Sequence, residues 1–128
     1  MRFLLLIHTD PELMAALPSD EFDRLMHGCI THADALEAEG RLIGSQQLED
    51  ASTARTLRVR DGALRVTDGP FAETKEFLAG YWIVDVESPE RAYRIAAEAS
   101  MAPGPGGKPL HLAIEVRQVM SAPPTEQG

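Results

Sequence analysis

The sequence predicts an α+β fold of the split βαβ, or ferredoxin-like, type with an inserted β-hairpin. Short apolar runs typical of strands alternate with two amphipathic helical segments, in the order β-α-β followed by β-α-β. Two strand-like segments around an Asp-Gly turn interrupt this order between its halves. The length of 128 residues suits one such domain, with a core large enough to fold without disulfides or metals.

The first strand is expected over residues 2–8, whose centre, residues 3–7, is a continuous apolar run, and it ends before the turn signal Asp10-Pro11. Such a run is apolar on both sides, so both faces of its sheet need to be covered. The helices would cover one face. A second copy of the chain is the simplest cover for the other, which predicts a homodimer.

The first long helix is expected to begin at Ser19, whose hydroxyl would cap it, and to end at Gly40, which suits the left-handed C′ position. Cys29 lies within its apolar stripe and is expected to be an inert core thiol. The stripe repeats at three- and four-residue steps: Phe22, Leu25, Met26, Cys29, Ala33 and Leu36.

The middle of the chain predicts one further strand and a hairpin, with strands over residues 41–48, 56–60 and 63–67. The turn Asp61-Gly62 is the strongest short-range hairpin signal. A two-residue turn would pair the apolar residues on one face, Leu57 with Val66 and Val59 with Leu64. Arg58 would then lie opposite Arg65 on the other face, which should be wet or contact an anion, because like charges repel.

The last third of the sequence predicts a strand over 79–86, a helix and a closing strand over 111–119. Ser88 and Pro89 mark the helix start with a capping serine and a proline at the first helical position, and the helix runs to about Ser100. Residues 102–109 contain three prolines and three glycines and should form a loop. We expect one domain over 1–120 and a loose polar tail over 121–128.

The composition and the motifs of the chain limit the classes of function that it can have. The net charge of −8 and the lack of a basic run predict no direct contact with nucleic acid or anionic membranes. A single cysteine and no apolar stretch near the roughly 20 residues that span a bilayer indicate a cytoplasmic protein. The sequence contains no phosphate-binding loop, dinucleotide fingerprint or nucleophile elbow, so no cofactor is expected.

Metal binding has little support, because one cysteine excludes a thiolate-rich zinc site and the histidines lack helical metal-ligand spacing. A site assembled from chain-distant residues stays open: His8, His32, Asp68 or Glu115. Among these, Asp68 is read either as a general base or substrate anchor at a cavity mouth, or as an Asx-turn that fixes the backbone. His8 shares a strand face with Leu4 and Leu6 and would lie at a cavity rim, where an imidazole can move protons near neutral pH.

Residues 68–76, Asp-Gly-Pro-Phe-Ala-Glu-Thr-Lys-Glu, resemble the signature of the DGPF branch of the YCII-related family. Three strand-like segments also resemble that family: residues 1–7, 80–86 and 114–117. The resemblance extends over about residues 1–119 and implies a dimeric ferredoxin-like α+β barrel. It also implies an aspartate–histidine pair in the barrel pocket and, for some members, a link to extracytoplasmic-function sigma factors.

Carried onto this sequence, the resemblance makes Asp68, with His8 or His32, the candidate catalytic group. The histidine position typical of the family falls near Cys29 here, with His32 one turn later, so the pair does not transfer cleanly. The signature loop would bind the ligand through Gly69, Pro70, Phe71, Glu73, Lys75 and Glu76. Phe71 can also be interpreted as a core residue, and Glu73, Lys75 and Glu76 as a solvent-exposed turn.

The sequence supports two functional hypotheses. In the first, the protein binds a small molecule, or acts on one by proton transfer, in a pocket between helix, sheet and the signature loop. In the second, it is a non-catalytic interaction module connected with sigma-factor or stress regulation. That module should expose an apolar patch outside the dimer face.

Overall fold

The computed structural model describes residues 1–70 and 76–120 and has an α+β fold, as the sequence predicts. Its helices and strands, in chain order, are β1 (Arg2–Thr9), α1 (Pro11–Ala15), α2 (Ser19–Ala38), β2 (Leu42–Gln47), β3 (Arg55–Arg60), β4 (Ala63–Asp68), β5 (Phe77–Asp85), α3 (Pro89–Ser100) and β6 (Ala113–Gln118). Single 3₁₀ turns lie at Ala51–Thr53 and Pro105–Gly107. Predictions for Phe71, Glu73, Lys75 and the tail 121–128 fall outside the described residues.

A four-stranded antiparallel sheet in the order β2-β5-β1-β6 forms the centre of the fold. The apolar run of β1 is paired on both sides, which explains why this strand lacks polar residues between Phe3 and Ile7. Leu5 lies opposite Trp82 on β5 and opposite Val116 on β6. The most apolar strand therefore lies inside the sheet, where its backbone donors and acceptors are satisfied on both edges.

The hydrophobic core lies on the helix-covered face of this sheet. Its centre consists of Leu5, Val84 and Ile95, whose side chains are at most 1% exposed. Leu36 of α2 joins this cluster, with Ala33 packed against it, whereas Phe22 and Met26 do not. The C-terminal half of α2 therefore packs on this cluster, whereas Leu25 in its N-terminal half is only 2% exposed but lies outside the cluster.

Most helix ends lie where the sequence signals predict them. The Ser88 hydroxyl accepts a hydrogen bond from Arg91 N at 3.2 Å, which confirms the predicted cap of α3. Gly40 has φ of 73°, and Arg41 N donates to Leu36 O at 2.9 Å, which confirms the predicted glycine end of α2.

The cap predicted at Ser19 is wrong. Pro18 holds the N-cap position of α2 with extended backbone and no side-chain hydrogen bond, so Ser19 is already the first helical residue. The short helix α1 is also absent from the sequence prediction. There Asp10 Oδ1 accepts a hydrogen bond from Glu12 N at 3.0 Å, and Pro11 is the first helical residue. The same Asp-Pro pair that reads as a turn can also start a helix.

The hairpin of β3 and β4 forms a separate two-stranded sheet with the predicted register, including Arg58 opposite Arg65. Asp61 and Gly62 both have positive φ, as a type I′ turn requires. One face of this hairpin, which we call the hairpin apolar face, consists of Leu57, Val59, Leu64 and Val66. These side chains are 56–71% exposed in the single chain. None of the helices described in the structure is both long and apolar enough to cross a bilayer.

Candidate functional site

A cleft of about 790 Å³ separates the N-terminal half of α2 from the helix-covered face of the sheet. Its floor includes Ile7, Gly80 and Trp82, and α1 closes one side with Met14. The segment that follows β2 forms another wall. Residues from the apolar stripe of α2 form the roof: Phe22, Leu25, Met26, Cys29 and Ala33.

The gap has two physical causes. The first is that α2 packs on the core cluster through Leu36, near its C-terminus, while its N-terminal half packs outside that cluster. The second is Gly80, which contributes no side chain to the floor. A methyl group at Gly80 would lie 2.8 Å from Gln46 O, so glycine also lets β2 approach β5 closely. The predicted stripe of α2 is therefore partly core and partly cleft lining.

Polar groups are concentrated towards the exposed end of the cleft. Gln47 donates its side-chain amide to Met26 Sδ at 3.4 Å and so links β2 to α2. Asp50 Oδ2 accepts a hydrogen bond from Ser52 N at 3.0 Å. Hydrogen bonds from Ser52 lower the pKa of the Asp50 carboxyl from its usual value. Asp50 therefore stays ionised at neutral pH and places a negative charge at the cleft mouth, next to Glu49.

Trp82 lies at the deep end of the cleft and is only 8% exposed. The ring of His32 packs edge-on against it, with the ring centroids 5.1 Å apart. His32 Nε2 lies 3.0 Å from Glu98 Oε2, yet it meets no acceptor at hydrogen-bond geometry. His32 thus bridges α2, β5 and α3 and orients the indole from behind rather than facing the cleft.

Cys29 is half-buried in the cleft wall rather than in the core cluster. Burial raises the pKa of the Cys29 thiol. Because the thiolate is the nucleophilic form, this environment disfavours covalent catalysis at neutral pH. The thiol remains useful as a chemical reporter, since it is the single cysteine of the chain.

The predicted catalytic residues lie apart from this cleft. His8 is half-buried on β1, opposite Ala113 of β6. The Asp68 side chain at the end of β4 is 90% exposed and forms an ion pair with Arg55 Nε at 3.2 Å. Neither His8, His32 nor Asp68 belongs to the described lining of the cleft.

The backbone after Asp68 closes the base of the hairpin. Gly69 has φ of 96°, its N–H donates to Ala54 O at 2.8 Å, and its carbonyl accepts from Thr56 Oγ1 at 3.0 Å. The usual Asx-turn at Asp68 is excluded, because the amide two residues on belongs to Pro70, which has no N–H. In the described part of the signature loop, Gly69 therefore has a clear structural role.

The far end of the signature loop leads to the cleft. Glu76 is exposed, and the next residue, Phe77, begins β5 and lines the cleft. Within residues 1–70 and 76–120, no three metal-ligating side chains converge on one point. The arrangement can therefore enclose the apolar part of a molecule and offer polar side chains to it at the mouth of the cleft.

Sequence reasoning missed the floor and mouth of this cleft. The sequence places Trp82 only in a strand, and no motif singles out Asp50. The available signal was the apolar stripe of α2. It extends from Phe22 to Leu36, whereas only Ala33 and Leu36 at its C-terminal end contact the core cluster. No pattern along the chain connects that stripe with Gly80.

The fold and the cleft together define a small α+β protein with an apolar cleft between a helix and an antiparallel sheet. Residues 1–104 match the family model of the YCII-related domain. The chain is also 33% identical over 102 residues to "Uncharacterized protein R00369" of Rhizobium meliloti (strain 1021), covering 80% of this chain and 82% of that relative. The chain belongs to the YCII-related domain family, which confirms the family resemblance.

Proposed function

We propose that this protein binds a small, largely apolar molecule in the cleft beneath α2. The observation that carries this proposal is the cleft itself: about 790 Å³ of space with a mainly apolar lining. Sites for small molecules typically have volumes of roughly 300–1,000 Å³, apolar walls and a few polar groups. Binding has more support than proton transfer, because the described lining includes neither Asp68 nor a histidine.

The fold supports the proposal at a coarser level. The order β2-β5-β1-β6, with helices between β1 and β2 and between β5 and β6, supports the proposal of a ferredoxin-like split βαβ with β3 and β4 inserted. In this arrangement the helices lie on one face of the sheet. The cleft then lies between the two layers, where space can open without breaking the sheet.

Two residues of the chain can report on binding directly. Trp82 is the single tryptophan and Cys29 the single cysteine, and both line the cleft. We expect decanol, an uncharged apolar probe, to change Trp82 fluorescence saturably and to slow the alkylation of Cys29 by iodoacetamide. Both signals should follow the same binding curve, because one occupied cleft causes them.

A matched pair of variants locates the probe. Ala15 lines the cleft from α1, whereas the adjacent Ala16 does not, and both are exposed. Ala15→Phe should fill part of the space and weaken binding by about tenfold or more, equivalent to about 1.4 kcal/mol. Ala16→Phe should leave affinity unchanged. Absence of saturable signals in the wild type, or equal effects of the two variants, would contradict the proposal.

We also propose that the protein is a homodimer, with the partner covering the sheet face opposite the helices and the hairpin apolar face. Leu4, Leu6 and Ile83 lie on that open sheet face and are only half-buried in the single chain. A lone two-stranded hairpin is marginally stable in water, so its four exposed apolar residues favour a covering partner.

Charge favours a second copy as that partner. The hairpin carries Arg60 and Arg65 on its other face, whereas the whole chain has a net charge of −8. A basic arm on an acidic chain is attracted to the acidic surface of an identical chain.

Sedimentation analysis at micromolar concentration should therefore show a dimer. Val66→Glu, on the hairpin apolar face, should shift the protein to monomers, because it would bury a charge in the interface. Thr67→Glu adds the same charge to the opposite face of the same strand. It reduces the charge attraction to the partner but buries no charge, so it should weaken the dimer much less than Val66→Glu. A monomeric wild type would refute the dimer. It would favour the second candidate function, an interaction module whose hairpin apolar face docks on a different protein, such as a sigma-factor-linked regulator.

A further inference from the structure

The charged residues in the described lining of the cleft are of one sign. Among the described residues that line it, Glu49 and Asp50 carry carboxylates, and none is a lysine, arginine or histidine. The carboxylates lie at the exposed end of the cleft, and Trp82 at the buried end. A ligand with an apolar body would therefore present its polar end to two negative charges.

The acidic mouth is held in place by the backbone. Leu48 N donates to Ala79 O at 2.8 Å, which fixes the chain against β5 just before Glu49. Asp50 is then fixed at the start of a 3₁₀ turn, with its carbonyl accepting from Thr53 N at 2.9 Å and from Thr53 Oγ1 at 2.7 Å. The position of the Asp50 carboxylate is thus set before any ligand arrives, which reduces the entropy lost on binding.

The carboxylate of Asp50 keeps capacity for a ligand. A carboxylate has about four lone-pair sites, and hydrogen bonds from the side chain and the backbone of Ser52 leave about two of them open. Hydrogen bonds from Ser52 lower the pKa of Asp50, so this group is anionic throughout the neutral range. Aromatic rings of Phe22 and Phe77 also line the cleft. Ring faces attract cations and offer nothing comparable to an anion.

We infer that the cleft selects hydrophobic amines: molecules with an apolar body and a cationic ammonium head, in preference to fatty acids or phosphate esters of similar size. This inference rests on the proposed function and specifies its ligand class. An anionic head would meet the Glu49 and Asp50 carboxylates without a compensating cation among the described lining residues. The net charge of −8 opposes anions at longer range as well.

Three probes with the same ten-carbon chain test the inference: decylamine, decanol and decanoate. Binding to the full-length wild type is followed near neutral pH and at low salt by Trp82 fluorescence and by protection of Cys29 from iodoacetamide. We expect decylamine to bind most tightly and decanoate most weakly, with about a tenfold or greater difference in Kd between them. High salt should reduce this difference, because the mouth is exposed to solvent.

Two variants test whether the Asp50 carboxylate at the mouth of the cleft causes the preference for amines. Asp50→Asn removes its charge and keeps a side chain that can cap the 3₁₀ turn, so it should reduce the ratio of decanoate Kd to decylamine Kd and change the Kd of decanol much less than that of decylamine. Asp61→Asn removes one charge from the hairpin turn, where positive φ also suits asparagine, and should leave the ratio unchanged.

The outcomes separate the two proposals. If decanoate binds as tightly as decylamine while decanol binds, the amine preference is refuted and ligand binding stands. Equal effects of Asp50→Asn and Asp61→Asn would refute a role for the mouth and assign the preference to overall charge. If none of the three probes binds, the proposed function itself fails.

Discussion

Replacing Leu5 with alanine is expected to lower the free energy of unfolding by about 2–5 kcal/mol. Leu5 is 0% exposed at the centre of the sheet, between Trp82 on one neighbouring strand and Val116 on the other. The substitution removes buried methyl groups and leaves a cavity, because neighbours on paired strands cannot move in to fill it. Urea unfolding followed by Trp82 fluorescence, at one fixed protein concentration, measures the change.

Leu13→Ala is the matched control. Leu13 is 40% exposed on α1, and alanine favours a helix, so the loss should stay below about 1 kcal/mol. If the two variants lose equal stability, Leu5 is not at the centre of the core.

Replacing Gly80 with alanine is expected to lower the free energy of unfolding by about 1–3 kcal/mol, as overpacking does. The new Cβ would lie 2.8 Å from Gln46 O and 3.5 Å from Gln47 Cα. Both atoms belong to the backbone of β2, which is paired with β5 at this point. Relief would therefore require β2 to shift against β5, because no side-chain rotation can move these atoms.

Gly28→Ala provides a control in which the expected change in the free energy of unfolding has the opposite sign. Gly28 lies within α2, and an added Cβ there would meet nothing within 4 Å. Alanine in a helix interior is more stable than glycine by about 0.5–1 kcal/mol, so this variant should unfold at higher urea than the wild type. Thermal or urea unfolding in which Gly80→Ala matches the wild type would show that β2 tolerates the added methyl group.

Much of the fold could be predicted because its signals are local. The register of the hairpin is determined by Asp61-Gly62, and the start of α3 by Ser88-Pro89, each within a few residues. The apolar run of β1 likewise contains its own evidence for a buried strand. These signals act through backbone conformation and hydrogen bonds between near neighbours, so they can be read without knowledge of packing.

Local signals failed where one pattern has two structural meanings. Asp10-Pro11 fits a turn and also the start of α1, which is what forms. Ser19 fits a cap, but Pro18 already adopts the extended backbone that precedes a helix. In both cases the same residues suit two backbone conformations, and residue preferences alone do not choose between them.

The candidate site was less predictable than the fold. The cleft brings Met26 of α2 together with Gly80 and Trp82 of β5, which lie far from Met26 in the chain. The signature that begins at Asp68 is easy to recognise in the sequence, because glycine and proline at positions 69 and 70 have distinctive backbone preferences. In the described residues, Gly69 serves to close the hairpin.

The division of α2 between core contact and cleft lining has a consequence for how such a protein can change over time. Leu36 packs in the core cluster, whereas Phe22 and Met26 line the cleft outside it. A substitution at Phe22 would change the shape of the cleft without touching the core cluster, whereas Met26 also accepts the hydrogen bond from Gln47. The shape of the cleft and the packing of the core cluster can therefore vary largely independently.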